Sequence, residues 1–173
     1  MNLVDFLLSE NSRRVYLRIV RYVGNSPTRF AELVSVFLKG PYRVTQRASR
    51  PLSYCAERHP HLVKPHLGRI VKSLHVPDQH DSIKRNVLRL LQYVVIPKRL
   101  RGEVTDLCFR FLADRKEAIA IRAFAMTVLG RIALQEPGLR NELETIIRDE
   151  MPYESSGFNA RARRVLKELS AAT

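Results

Sequence analysis

The sequence predicts an all-α fold, a solenoid of stacked helical hairpins, and three observations predict it. Apolar residues recur at helical spacing nearly throughout, with no convincing period-2 strand. Prolines and turn residues cut the chain into about nine helical segments. An arginine near the start of a helix returns at Arg47, Arg85, Arg122 and Arg161, in steps of 38, 37 and 39 residues. Such a step is the length of one helical pair, which can bury its apolar face only against its neighbours.

In chain order, the first segment is Ser12 to Val23, closed by Gly24-Asn25. Ser26 caps the next and Pro27 takes its first position, where the missing N–H costs little. Its stripe of Phe30, Leu33, Val34, Phe37 and Leu38 ends at Gly40-Pro41. From Val44 to Glu57 the stripe is Val44, Ala48, Leu52, Cys55 and Ala56, with Pro51 expected to kink or break it. A helix over Leu62 to Leu74 follows Pro60, burying Val63, Leu67 and Ile70. Asp81 to Val95 carries Ile83, Val87, Leu90, Leu91 and Val94 on one face. Pro97 opens a helix with Leu100, Val104, Leu107, Cys108 and Phe111 inward. Glu117 to Leu134 is apolar on nearly every side, as befits the middle of a packed layer. Leu139 to Glu150 and Phe158 to Leu169 complete the set.

At 173 residues the chain is long enough for one domain, expected to span residues 1–173. Thirty Lys and Arg against 17 Asp and Glu give a net charge of +13 and a pI near 10.4. That balance favours an acidic protein or nucleic acid as partner. Cys55 and Cys108 fall on apolar stripes and read as core thiols of a reducing compartment. No stretch approaches the roughly 20 apolar residues that span a bilayer, and no leader is evident, so a cytoplasmic location without membrane contact is expected.

The Ile121-Arg122-Ala123-Phe124-Ala125 start, running to Leu129-Gly130, resembles the second helix of HEAT repeats. Residues from about Arg43 to Leu169 follow the pattern, loosely where Arg47 is followed by Pro51 and where the Arg85 copy lacks Leu-Gly. The resemblance implies a right-handed superhelix whose inner groove binds protein or nucleic acid. In such stacks the recurring Arg forms a ladder with acids near the inter-helix turn. Here Arg47, Arg85 and Arg122 would be its rungs, with Asp81 four residues before Arg85 and Asp114 or Glu117 for Arg122. Arg122 sits in the most apolar helix, where an unpaired charge is costly.

Basic residues opposite the apolar stripes are the candidate binding surface: Arg50, Arg89 and Arg164, joined by Arg43 and Lys84, with Arg161, Arg163 and Lys167 on the last helix. Their chemistry would be forked guanidinium contacts to phosphate or carboxylate. Tyr42, Tyr54 and Tyr153 are candidate exposed stacking residues.

His59, His61 and His66 surround Pro60, and His75 and His80 flank another turn, but no metal-ligand spacing emerges. No cofactor is expected. HEAT-like DNA glycosylases for alkylated bases resemble this chain as basic helical solenoids, yet they use indole rings and a catalytic Asp. The chain has no Trp, and its most tempting carboxylate, Asp106, stands four residues before Arg110 as a helical pair. The phosphate-cradling G-x-x-x-x-G-K, G-x-S-x-G and H-E-x-x-H motifs are absent. A non-catalytic binding scaffold is therefore the leading expectation, and a glycosylase-like DNA-repair enzyme acting on alkylated bases, with Asp106 or Asp114 as its carboxylate, is the alternative.

Overall fold

The computed structural model describes residues 1–172; the expected domain end at residue 173 lies outside them. Among the described residues every regular element is helical. Ten α-helices run in order: α1 (Leu3–Ser9), α2 (Arg13–Val23), α3 (Pro27–Lys39), α4 (Tyr42–Arg58), α5 (Leu67–Lys72), α6 (Asp81–Leu91), α7 (Lys98–Ala113), α8 (Ile119–Ala133), α9 (Arg140–Glu150) and α10 (Ser156–Ala171). The extra helix over the expected nine is α1, a seven-residue segment capped by the Asn2 side chain.

Sequence rules account for most boundaries. The Ser26 hydroxyl accepts from the Arg29 N–H at 3.4 Å with Pro27 beginning α3, which satisfies a donor the helix itself cannot pair. Gly24 ends α2 at φ +49°, a conformation glycine adopts without strain. Two expected helices differ from the prediction at prolines. Pro51 does not break α4, which runs through it for 17 residues. The bond that Pro51 cannot donate is outweighed by burial of Ala48, Leu52, Cys55 and Ala56 around it. By contrast, the helix expected over 62–74 is divided. A 3-10 turn at Pro60–Val63, the six-residue α5 and a second 3-10 turn at Ser73–His75 replace it. Pro65 lies between the first two, where its ring and missing N–H stop propagation.

The helices form two compact units, residues 1–95 and residues from 96 onward. In the first, α4 packs against α2, α3 and α6, around a core that includes Ile19, Phe30, Phe37, Val44, Leu52, Ile70 and Ile83. In the second, α8 packs against α7 and α10, burying Leu112, Ile121, Met126, Leu129, Ile147 and Phe158. The nearly all-round apolar α8 is thus enclosed, as its composition requires. A Cβ on Gly130 would stand 2.9 Å from Val165 Cγ1, so the Leu-Gly pair marks close approach of α8 and α10. No helix among the described residues is long and apolar enough to cross a membrane.

Candidate basic cleft

Helical spacing decides what α4 offers to its surroundings. Arg43, Gln46, Arg47 and Arg50 stand at offsets 0, 3, 4 and 7, one face of the helix, while Val44, Ala48, Leu52 and Cys55 occupy the buried face. The arginine face borders a cavity of about 380 Å³ within the first unit. The start of α6 supplies Ser82, Arg85 and Asn86, and its N-cap His80 also lines the space. The α1–α2 corner contributes Glu10, Ser12 and Tyr16. Four arginines therefore meet one carboxylate, and that carboxylate already holds Arg14 at 3.2 Å on the exposed surface. Ser12 and His80 are the N-caps of α2 and α6, so the positive ends of two helix dipoles add to the field.

Parts of this cleft are fixed in advance. Arg47 Nη1 donates to the carbonyls of Leu7 at 2.7 Å and Leu8 at 3.2 Å. These carbonyls belong to the last turn of α1, where a cation is favoured. Arg50 lies over the Tyr16 ring, 4.5 Å from its centroid. Asn86 is buried, and its Nδ2 donates to Ser49 Oγ at 2.9 Å. Ser49 in turn donates to the Gln46 carbonyl at 2.6 Å, joining α6 to α4 by a satisfied polar network. Arg43 and Arg85 remain exposed.

The residues singled out from the sequence separate into three groups. Arg43 and Arg50, expected on the binding surface, share the cleft with Arg47 and Arg85, expected in the ladder. Lys84 and Arg89 are corrections to the expected open strip. Lys84 bonds Asp81 at 3.2 Å with its side chain 14% exposed. Arg89 is 18% exposed and bonds Glu57 at 2.6 Å, with its guanidinium over Tyr54. Both side chains reach their own helix or its neighbour, because a partly buried cation needs an acid or a ring. The third group, Arg161, Arg163, Arg164 and Lys167, belongs to α10 of the second unit. Arg163, Arg164 and Lys167 are exposed there. Arg161 instead donates to Thr127 Oγ1 at 3.0 Å and lies over Phe124.

The ladder also needs correction. Arg47 meets carbonyls rather than an acid, and Asp81 is engaged by Lys84 instead of Arg85. Arg122, 2% exposed, does find acids, but not Asp114 or Glu117. It bonds Glu154 and, at 2.7 Å, Glu150, while its Nε donates to the Leu112 carbonyl at 3.0 Å. Asp114 accepts from the Lys116 N–H. Arg115 adds a forked contact to Glu150. Led by that Arg115 bond, with burial opposing and Arg122 reinforcing it, the Glu150 carboxyl titrates below its ordinary range.

One arrangement escaped the sequence reading. Tyr16 stacks on Tyr54 with centroids 5.2 Å apart; Arg50 covers Tyr16, and Arg89 covers both Tyr54 and Tyr93. The signal was present: Arg50-x-x-x-Tyr54 returns as Arg89-x-x-x-Tyr93, 39 residues on. Tyr54 is therefore occupied on its faces, whereas Tyr42 and Tyr153 are exposed, Tyr153 with the Arg115 guanidinium 4.7 Å from its ring centroid. Asp106 is exposed on α7. Among the described residues no group of three or more His, Cys, Asp or Glu side chains could hold a metal ion.

No curated protein and no solved structure matches the chain. The sequence model of the HEAT repeat domain matches residues 4–169, nearly the whole length. With the successive helical pairs of both units, this places the chain in the HEAT repeat domain family.

Proposed function

We propose that this HEAT-repeat protein is a non-catalytic binding scaffold that uses the cleft of its first unit to hold an acidic partner, protein or nucleic acid. The observation that carries the reading is the convergence of Arg43, Arg47, Arg50 and Arg85 on one cavity with a single, already engaged carboxylate. Clustered guanidinium groups without matching acids repel one another, and an anionic ligand relieves that repulsion. Arg47 and Arg50 are held in place before any ligand arrives, which lowers the ordering cost of binding. A cytoplasmic setting is part of the proposal, supported by two buried, unbridged thiols at Cys55 and Cys108.

Retention on heparin across a salt series tests it. The wild-type protein is expected to elute above physiological ionic strength, with elution set by the number of anion contacts. Arg43→Gln with Arg85→Gln lowers the net charge from +13 to +11 (13 − 2). So does Arg163→Gln with Lys167→Gln on α10. The cleft pair is expected to advance elution well beyond the α10 pair. Equal shifts would reduce the effect to net charge and reject the cleft as the binding site.

A further inference from the structure

The cleft brings four guanidinium groups to one space, and we propose that it receives the phosphorylated side chain of a partner protein. This rests on the reading of the cleft as an anion site and names its ligand.

Charge density is the first argument. Four guanidinium groups border about 380 Å³, the volume of roughly a dozen water molecules at about 30 Å³ each. A carboxylate brings one negative charge and leaves most of the arginine repulsion in place. A phosphomonoester brings about −1.5 to −2 and three acceptor oxygens, enough for several forked contacts at once.

Preorganisation is the second. Arg47 is anchored on the α1 carbonyls and Arg50, itself exposed, rests on the Tyr16 ring, while Arg43 and Arg85 are exposed on the two helices that border the space. Two cations are set and two can close on an arriving group.

The surroundings argue against a nucleic-acid strand. Single strands bind through aromatic faces that stack on bases. The tyrosine that lines the cleft, Tyr16, is buried, 7% exposed, beneath Arg50 and against Tyr54, and Tyr54 carries Arg89. The exposed Tyr42 stands T-shaped to His80 at the edge and is one ring where a strand needs several in succession. A duplex needs phosphate contacts spaced along a strip. The other cations of α6 do not extend one, since Lys84 holds Asp81 and Arg89 holds Glu57. The four arginines converge on one space, which suits a single side chain.

Fluorescence anisotropy with the full chain near physiological salt tests the assignment. The probes are a labelled pool of nine-residue peptides with phosphoserine at the centre and randomised flanks, the same pool with serine or glutamate there, and a 5′-phosphorylated oligothymidylate. The phosphoserine pool is expected to bind at least about tenfold tighter than the glutamate pool, the advantage of a dianion on forked donors. That preference should vanish in the Arg43→Gln/Arg85→Gln protein and persist in Lys167→Gln, with circular dichroism unchanged in both. Equal binding of phosphoserine and glutamate pools overturns the assignment. So does oligothymidylate binding that exceeds the phosphoserine pool and is lost in the cleft variant. If heparin retention still depends on Arg43 and Arg85, either result leaves the anion cleft standing and removes only its ligand. Absence of cleft-dependent retention removes both.

Discussion

Arg122 shows what one buried cation demands of its neighbours. Its 2% exposure forbids an unpaired charge, and Glu150, Glu154 and the Leu112 carbonyl together satisfy it. Arg122→Met leaves the nearly buried Glu154 carboxylate without its cation and Glu150 with Arg115 alone, so a loss of about 3–5 kcal/mol is expected in urea unfolding. Arg115→Gln, on the exposed side of the same cluster, should cost far less. The sign of the pH dependence follows from Glu150, whose carboxyl is held below its ordinary value by Arg115 first and Arg122 after it. A depressed carboxylate contributes stability that is full above its unfolded value and is lost as pH falls through the folded one. Stability should therefore decline below about pH 4.5, and Glu150→Gln should flatten that decline when unfolding is followed against pH. The need for a partner was readable from Arg122 in an apolar helix; the partners were not. Asp114 and Glu117 are near in sequence, whereas Glu150 and Glu154 lie 28 and 32 residues on, in the next hairpin. Contacts between repeats follow the step of the stack, and the Arg50–Tyr16 and Arg89–Tyr54 pairs obey the same rule.

Helix α8 carries its own constraint at Gly130. Alanine there would gain up to about 1 kcal/mol of helix propensity, but its Cβ would lie 2.9 Å from Val165 Cγ1. Valine is stiff at χ1, so relief requires α8 and α10 to separate, and overpacking of this kind costs about 1–3 kcal/mol. Gly130→Ala is expected to lose about 1 kcal/mol net. In a double-mutant cycle, Val165→Ala should make the same change neutral or stabilising. An additive cycle would show that the two helices do not meet there. The Leu-Gly signal was legible because glycine inside a helix is expensive without a packing reason. Proline was less so. Pro51 and Pro65 carry the same local penalty, yet α4 absorbs it and the following segment does not. Pro51 is itself buried within α4, whereas Lys64 and Pro65 are exposed, and one-dimensional spacing does not record which proline a fold will enclose.

At the scale of the molecule, composition gave the +13 charge and periodicity gave the helical pairs, but neither could show which arginines converge. Arg43 and Arg50 gather with Arg47 and Arg85, while Lys84 and Arg89 are held by acids, because the outcome depends on which helix faces which. Each unit also contains one thiol that reports on its integrity. Burial pushes Cys55 up to about 12 and Cys108 higher still, so neither is a nucleophile in the closed state and labelling by a disulfide reagent near pH 8 requires opening. In arrays of helical pairs stability is dominated by nearest-neighbour interfaces, so damage should stay close to its origin. Arg122 bonds α7 at Leu112, the helix that carries Cys108. Arg122→Met is therefore expected to accelerate Cys108 labelling by about two to four orders of magnitude and to leave Cys55 close to its wild-type rate. Mass spectrometry of the labelled peptides separates the two sites. Equal acceleration at both would mean that the thiols become accessible through one global opening, and the chain would then unfold as a single cooperative body rather than as two.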